Sequence, residues 1–135
     1  MPQLTLAAKL ENLNSMIKFI LDEAAVLGFD EKNKFQIRLA AEEVLVNIIK
    51  YAYPKETGDI QITVNSKEKD SLEIEIADWG FAFDPLSRED PKICAPLEER
   101  QIGGLGIFLT RKVMDDVRYR RDNDRNIMTL IKKLP

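Results

Sequence analysis

The chain has 135 residues, 44% of them hydrophobic and 32% charged, with a formal net charge of −3. These figures exclude a disordered or fibrous chain, fit a single domain over residues 1–135, and allow a core that needs no disulfide or metal. With one cysteine, Cys94, and no histidine, the chain cannot itself form an internal disulfide, a multi-cysteine zinc site, a histidine metal site, a Ser-His-Asp triad or a phosphohistidine relay. The apolar runs are too short to span a bilayer and the first residues lack a basic n-region, so a cytoplasmic protein with no membrane partner is expected.

Residues 3–8 read as a short strand. Residues 11–27 place Leu13, Ile17, Ile20, Leu21, Ala24 and Leu27 at helical spacing. Gly28 stands where a left-handed cap would end that helix, and Asp30 can cap the next. The second helix is expected from about residue 31 to Tyr53, stopped by Pro54. Its apolar positions (Phe35, Leu39, Val44, Leu45, Val46, Ile48, Ile49) cover much of the circumference, which predicts a central, mostly buried helix.

Gly58 and Asp59 turn the chain. Residues 60–64 and 72–76 alternate with period two and read as antiparallel strands with one wet face. Residues 78–102 hold three prolines, Pro85, Pro91 and Pro96, and one glycine, Gly80. They predict a long irregular loop, and such a loop inside a compact domain is usually functional, often a lid. A helix follows to about Met114, then a strand pair at 117–121 and 126–133. The order β-α-α-β-β-loop-α-β-β predicts an α+β two-layer sandwich, with helices on one face of a mixed, mostly antiparallel sheet.

Charge is uneven. Residues 111–135 carry eight basic side chains and four aspartates, a local +4, which leaves −7 on residues 1–110. The basic end can attract phosphates or an acidic partner, or can be a solvated sheet edge. The acidic total and the lack of a reading motif speak against direct nucleic-acid binding.

Three polar clusters stand out. Glu43 and Asn47 are four apart, so they share a face of the second helix. The amide oxygen suits a hydrated magnesium ion, the carboxylate suits a hydroxyl proton, and Lys50 one turn on suits a phosphate. The competing reading is a solvated stripe. Asp78 and Gly80 follow a strand; they can present one acceptor to a flat heterocycle, or simply make a turn. Gly103, Gly104, Leu105 and Gly106 open a helix whose free N–H groups can hold phosphate oxygens, with Arg100 nearby, or form a plain loop entering a helix. Neither a Walker A loop nor a dinucleotide fingerprint is present.

In order, Glu-x-x-x-Asn on a helix, Asp-x-Gly after a strand, a lid and Gly-x-Gly opening a helix resemble the N, G1 and G2 boxes of the histidine-kinase-type (GHKL) ATPase superfamily. Residues 103–119, with Asn126-Ile-Met-Thr-Leu, resemble its small stand-alone anti-sigma factor serine/threonine protein kinases. The resemblance implies a Bergerat-type ATP-binding fold with ATP and Mg2+. It implies Asn47 as the magnesium ligand and Glu43 as the base toward a substrate serine. It implies Asp78 at the adenine amino group, Gly80 where the base sits close, and Gly103, Gly104, Leu105 and Gly106 at the phosphates. It implies Thr129 near the adenine, and Lys50 and Arg100 as basic groups at the nucleotide.

The implied function is an ATP-dependent serine kinase that binds a sigma factor and phosphorylates an anti-anti-sigma (STAS-type) protein, with a homodimer expected. The alternatives are a non-catalytic ATP-binding regulatory module and a detached phosphorelay ATPase whose acceptor lies on another chain. One position departs from the family: Ala82 replaces the second glycine of Asp-x-Gly-x-Gly, which is tolerable only if the backbone there is not left-handed.

Overall fold

The computed structural model describes residues 1–66, 70–82, 86 and 104–135, and for 104–108 the backbone alone. In chain order these form β1 (Gln3–Ala7), a short 3-10 turn (Leu10–Asn12), α1 (Leu13–Leu27) and α2 (Glu31–Asn47). Then come a π-helical turn (Ile48–Ala52), β2 (Asp59–Asn65), β3 (Ser71–Asp78), α3 (Gly104–Val113), β4 (Asp116–Asp122) and β5 (Arg125–Lys133). The five strands make one sheet in the order β1-β2-β3-β5-β4. All four pairings are antiparallel, so the parallel component anticipated in a mixed sheet is not present among the described residues.

Local chemistry sets the helix ends. Gly28 adopts φ 103° and its N–H reaches the carbonyls of Ala24 and Ala25, the left-handed cap that only glycine takes without strain. Asp30 is extended, and its Oδ1 accepts the Asn33 N–H at 2.8 Å. That bond, foremost, holds the Asp30 carboxyl below its ordinary pKa. After Asn47 the helix widens into one π turn and ends at Tyr53, whose backbone the following Pro54 keeps out of the helical region.

Side chains alternate across the sheet. Leu72, Ile74 and Ile76 of β3 lie opposite Lys132, Leu130 and Met128 of β5, on the face that meets the helices. Met16, Ile17, Ile20 and Ala24 of α1 and Ile37, Ala40, Ala41, Val44 and Leu45 of α2 close over them. Each fully buried Ile or Leu contributes about 1.5–3 kcal/mol.

α2 is less central than its apolar count suggests. Phe35 and Leu39 are 59% and 42% exposed. At 100° per residue they fall opposite Ile37, Ala41, Val44 and Ile48, which lie on the buried stripe.

Three arginines of the basic C-terminal end form ion pairs. Arg118 meets Asp116 at 2.7 Å, Arg125 meets Asp122 at 3.3 Å and Arg120 reaches Glu75 at 3.7 Å. Such exposed pairs contribute roughly 0–1 kcal/mol each. Lys132 is not a surface charge at all. It is buried, and its Nζ donates to Gln36 Oε1 at 2.7 Å and to the Val113 carbonyl. It thereby ties β5, α2 and the end of α3 together.

Candidate nucleotide site

Glu43 and Asn47 stand one turn apart on a flank of α2, both partly exposed. Asn47 Nδ2 donates to Glu43 Oε1 at 3.2 Å. This bond leaves the Asn47 amide oxygen with no hydrogen-bond partner among the described residues, and a neutral oxygen of that kind is a suitable hard-cation ligand. Burial raises the Glu43 pKa, and the Asn47 bond and the charge of Lys50 oppose the rise. Lys50 is exposed on the π turn, within electrostatic reach of Glu43.

Asp78 ends β3 and is only 4% exposed. Its Oδ1 accepts from the Gly80 N–H at 2.9 Å and from Asn126 Nδ2 at 3.0 Å. Both bonds fall on one oxygen. Oδ2 has no partner among the described residues, although a buried carboxylate oxygen ordinarily finds one. The missing partner must be a donor, and an exocyclic amine of a base is one. Burial pushes the Asp78 carboxyl upward, opposed in turn by Asn126, the Gly80 N–H and Arg121.

Segments distant in sequence are pinned to each other here. The Tyr53 hydroxyl donates to the Asp59 carbonyl at 2.7 Å and accepts the Trp79 N–H at 2.7 Å. A Cβ on Gly80 would lie 2.4 Å from the Ala52 carbonyl oxygen, so the chain after β3 packs directly on the π turn. Arg121 donates to the Gly80 carbonyl at 2.9 Å and Asn126 to that of Phe81 at 2.8 Å. The β4–β5 hairpin therefore clamps the segment after Asp78 from the other side. Ala82 has no left-handed backbone: Asn123, in the hairpin turn, is the only non-glycine residue with positive φ among the described residues. The methyl group in place of the second glycine thus costs no backbone strain.

Gly104 and Gly106 lie in the first turn of α3, where N–H groups lack intrahelical acceptors, with Leu105 between them. Arg100 and Gly103 lie outside the described residues, as does most of the expected lid. Thr129 lies on β5. It pairs with Glu75, and Asp78 pairs with Asn126, three residues earlier on β5. Odd spacing puts Thr129 on the opposite face of the sheet from Asp78. Asn126 is the β5 residue beside that carboxylate.

Asn126, Tyr53 and Lys132 were not singled out from sequence. Pairing 72–78 against 126–133 would have exposed Asn126, but the register depends on the sheet order. Among the described residues no group of three or more acidic or thiol side chains could hold a metal, so a cation at Asn47 would have few protein ligands. Magnesium fits such a site, because it keeps several waters and takes phosphate oxygens. A depression of about 310 Å³, lined by Tyr53, Glu56, Thr57, Gly58, Asp59 and Trp79, adjoins this region but includes none of Glu43, Asn47 or Asp78.

A model of the histidine kinase-like ATPase domain matches residues 6–132. The chain belongs to the histidine kinase-like ATPase domain family. Among its curated relatives, the serine-protein kinase RsbW of Bacillus cereus is 32% identical over 106 residues, 76% of this chain and 66% of that protein. The serine/threonine-protein kinase BtrW of Bordetella bronchiseptica is 33% identical over 98 residues, 72% of this chain and 68% of that one. The match thus spans about two thirds of these relatives' own length. In a crystal structure of the RsbU and RsbW domains of Rv1364c from Mycobacterium tuberculosis, the same fold covers 99% of this chain and 33% of the other, with a TM-score of 0.64 at 13% identity. The α+β layers described above are therefore those of a histidine kinase-like ATPase domain. No described helix is long and apolar enough to cross a membrane.

Proposed function

We propose that this histidine kinase-like ATPase domain is an ATP-dependent serine protein kinase that acts as an anti-sigma factor. It transfers phosphate to a serine of an anti-anti-sigma protein of the STAS type and binds a sigma factor. The observation that carries the nucleotide reading is the buried Asp78 carboxylate, with one oxygen satisfied twice and the other without a donor among the described residues. The names of the relatives support the kinase reading. The likeness of residues 103–119 to anti-sigma kinases supports the choice of partners.

In this reading Asp78 Oδ2 accepts from the adenine amino group. The N–H groups at the start of α3 receive phosphate oxygens. Asn47 Oδ1 would hold magnesium, which when bound supplies charge neutralisation at the phosphates. The serine hydroxyl oxygen forms a bond to the γ-phosphorus as the bond to the bridging oxygen of ADP breaks. The serine proton passes to Glu43, whose raised pKa suits a base. Phosphate on the acceptor serine then weakens its docking through charge and desolvation.

The test is to incubate the protein with γ-labelled ATP and the STAS-type protein encoded beside it. Label on a serine of that protein is expected. Tight ATP binding without label would leave the non-catalytic binding module as the correct reading.

A further inference from the structure

Asn126 is the side chain of the C-terminal hairpin that hydrogen-bonds the Asp78 carboxylate, and it is held on both sides of its amide. The Tyr119 hydroxyl donates to Asn126 Oδ1 at 2.5 Å. That bond fixes which end of the amide is the acceptor. Nδ2 is left to donate, and it does so twice, to Asp78 Oδ1 at 3.0 Å and to the Phe81 carbonyl at 2.8 Å. Asn126 is 6% exposed, so water does not compete effectively for these bonds.

The consequence for Asp78 is directional. With Asn126 and the Gly80 N–H both on Oδ1, the carboxylate cannot rotate to offer that oxygen to a ligand without breaking two bonds. Only Oδ2 is offered. The same bonds favour the ionised, acceptor-only form and so oppose the burial that disfavours it.

We propose that Asn126, locked by Tyr119, is a positioning residue that fixes Asp78 as a single-oxygen acceptor and so sets the preference for a base bearing an exocyclic amine over one bearing a carbonyl there. This rests on the nucleotide reading of Asp78 given above. Asn126 does not touch the base; it acts through the carboxylate. Arg121 on β4 and the Tyr53 hydroxyl after α2 also act on the charge of Asp78, so they are kept intact in the test.

The experiment has two arms, run on the parent, Asn126→Ala and Tyr119→Phe. In the first, the Asp78 carboxyl is titrated by side-chain carbon NMR without nucleotide. The midpoint should rise in Asn126→Ala, and rise less in Tyr119→Phe. In the second, ATP and GTP affinities are measured by calorimetry across mildly acidic to neutral pH. Asn126→Ala should bind ATP about tenfold more weakly, lose part of its preference over GTP, and show its acid limb at higher pH. A purely structural loss would lower affinity for both nucleotides equally at every pH. Superimposable titrations and an unchanged ATP-to-GTP ratio in both variants would overturn the proposal. If Asn126→Ala does not fold, Tyr119→Phe decides, since it keeps the ring and removes one donor. A parent that binds no ATP overturns the nucleotide reading and the base preference with it; the first arm then reports the Asp78 orientation separately.

Discussion

Gly80 lies against Ala52 with no room between them. A Cβ at position 80 would meet the Ala52 carbonyl oxygen at 2.4 Å and the Ala52 Cβ at 2.8 Å. Its φ is not positive, so space is what demands glycine here. This contact joins the end of the helix that carries Glu43 and Asn47 to the segment that follows Asp78. Gly80→Ala must push the two apart. We expect a loss of about 1–3 kcal/mol by urea denaturation, together with weakened ATP binding, because the parts of the site are displaced relative to each other.

Asp78→Asn should separate stability from binding. The folded-state pKa of Asp78 lies above its unfolded value because burial disfavours the charge. The folded chain therefore binds more protons than the unfolded chain in the interval above the ordinary aspartate value. Stability falls as pH rises through that interval. An asparagine carries no buried charge, and its carbonyl can still accept from Asn126 and the Gly80 N–H. The variant should melt at a higher temperature than the parent at neutral pH and lose the excess in acid. Its ATP affinity should drop about a hundredfold or more, because an amide nitrogen would face the adenine amine. Thermal melts at several pH values and calorimetry with ATP check both halves.

Glu43→Gln tests the base. Asn47 can still find an acceptor on the new side chain, so ATP binding should change little. Phosphoryl transfer should fall by about 10²–10⁴-fold. Because burial holds the Glu43 pKa above the ordinary glutamate value, transfer by the parent should decline with acidification through a limb lying above that value. The residual activity of Glu43→Gln should lack that limb. Single-turnover transfer measured against pH reports both.

Lys132→Met removes the ammonium that joins Gln36 on α2 to the Val113 carbonyl at the end of α3. The methylene stem is retained, so packing loss is small. Two half-buried acceptors lose their donor and the negative end of the α3 dipole loses its cation. A destabilisation of about 1–3 kcal/mol is expected by denaturant titration. Amide exchange should report earlier opening of α3 than of the β3–β5 pair.

Much was readable along the chain because it depends on neighbours a few residues away. The Gly28 cap, the Asp30 cap and the period-two strands are local chemistry, and the structure has them where spacing put them. The alternation of Glu and Ile in β3 named its buried face before any partner was known. The pairing of Glu43 with Asn47 follows from 3.6 residues per turn, and the two side chains do meet.

Contacts between distant segments were not readable in that way. Helical spacing does not say which stripe of α2 is covered; packing buried Ile37, Ala41 and Val44 and left Phe35 and Leu39 in water. Composition counts Lys132 as one more surface cation, yet a strand crossing beneath α2 buries it. Nothing local distinguishes Thr129 from Asn126 as the neighbour of Asp78. A strand's side-chain period is two, so an odd offset in register moves a residue to the other face, and that offset exists only once β3 and β5 have paired.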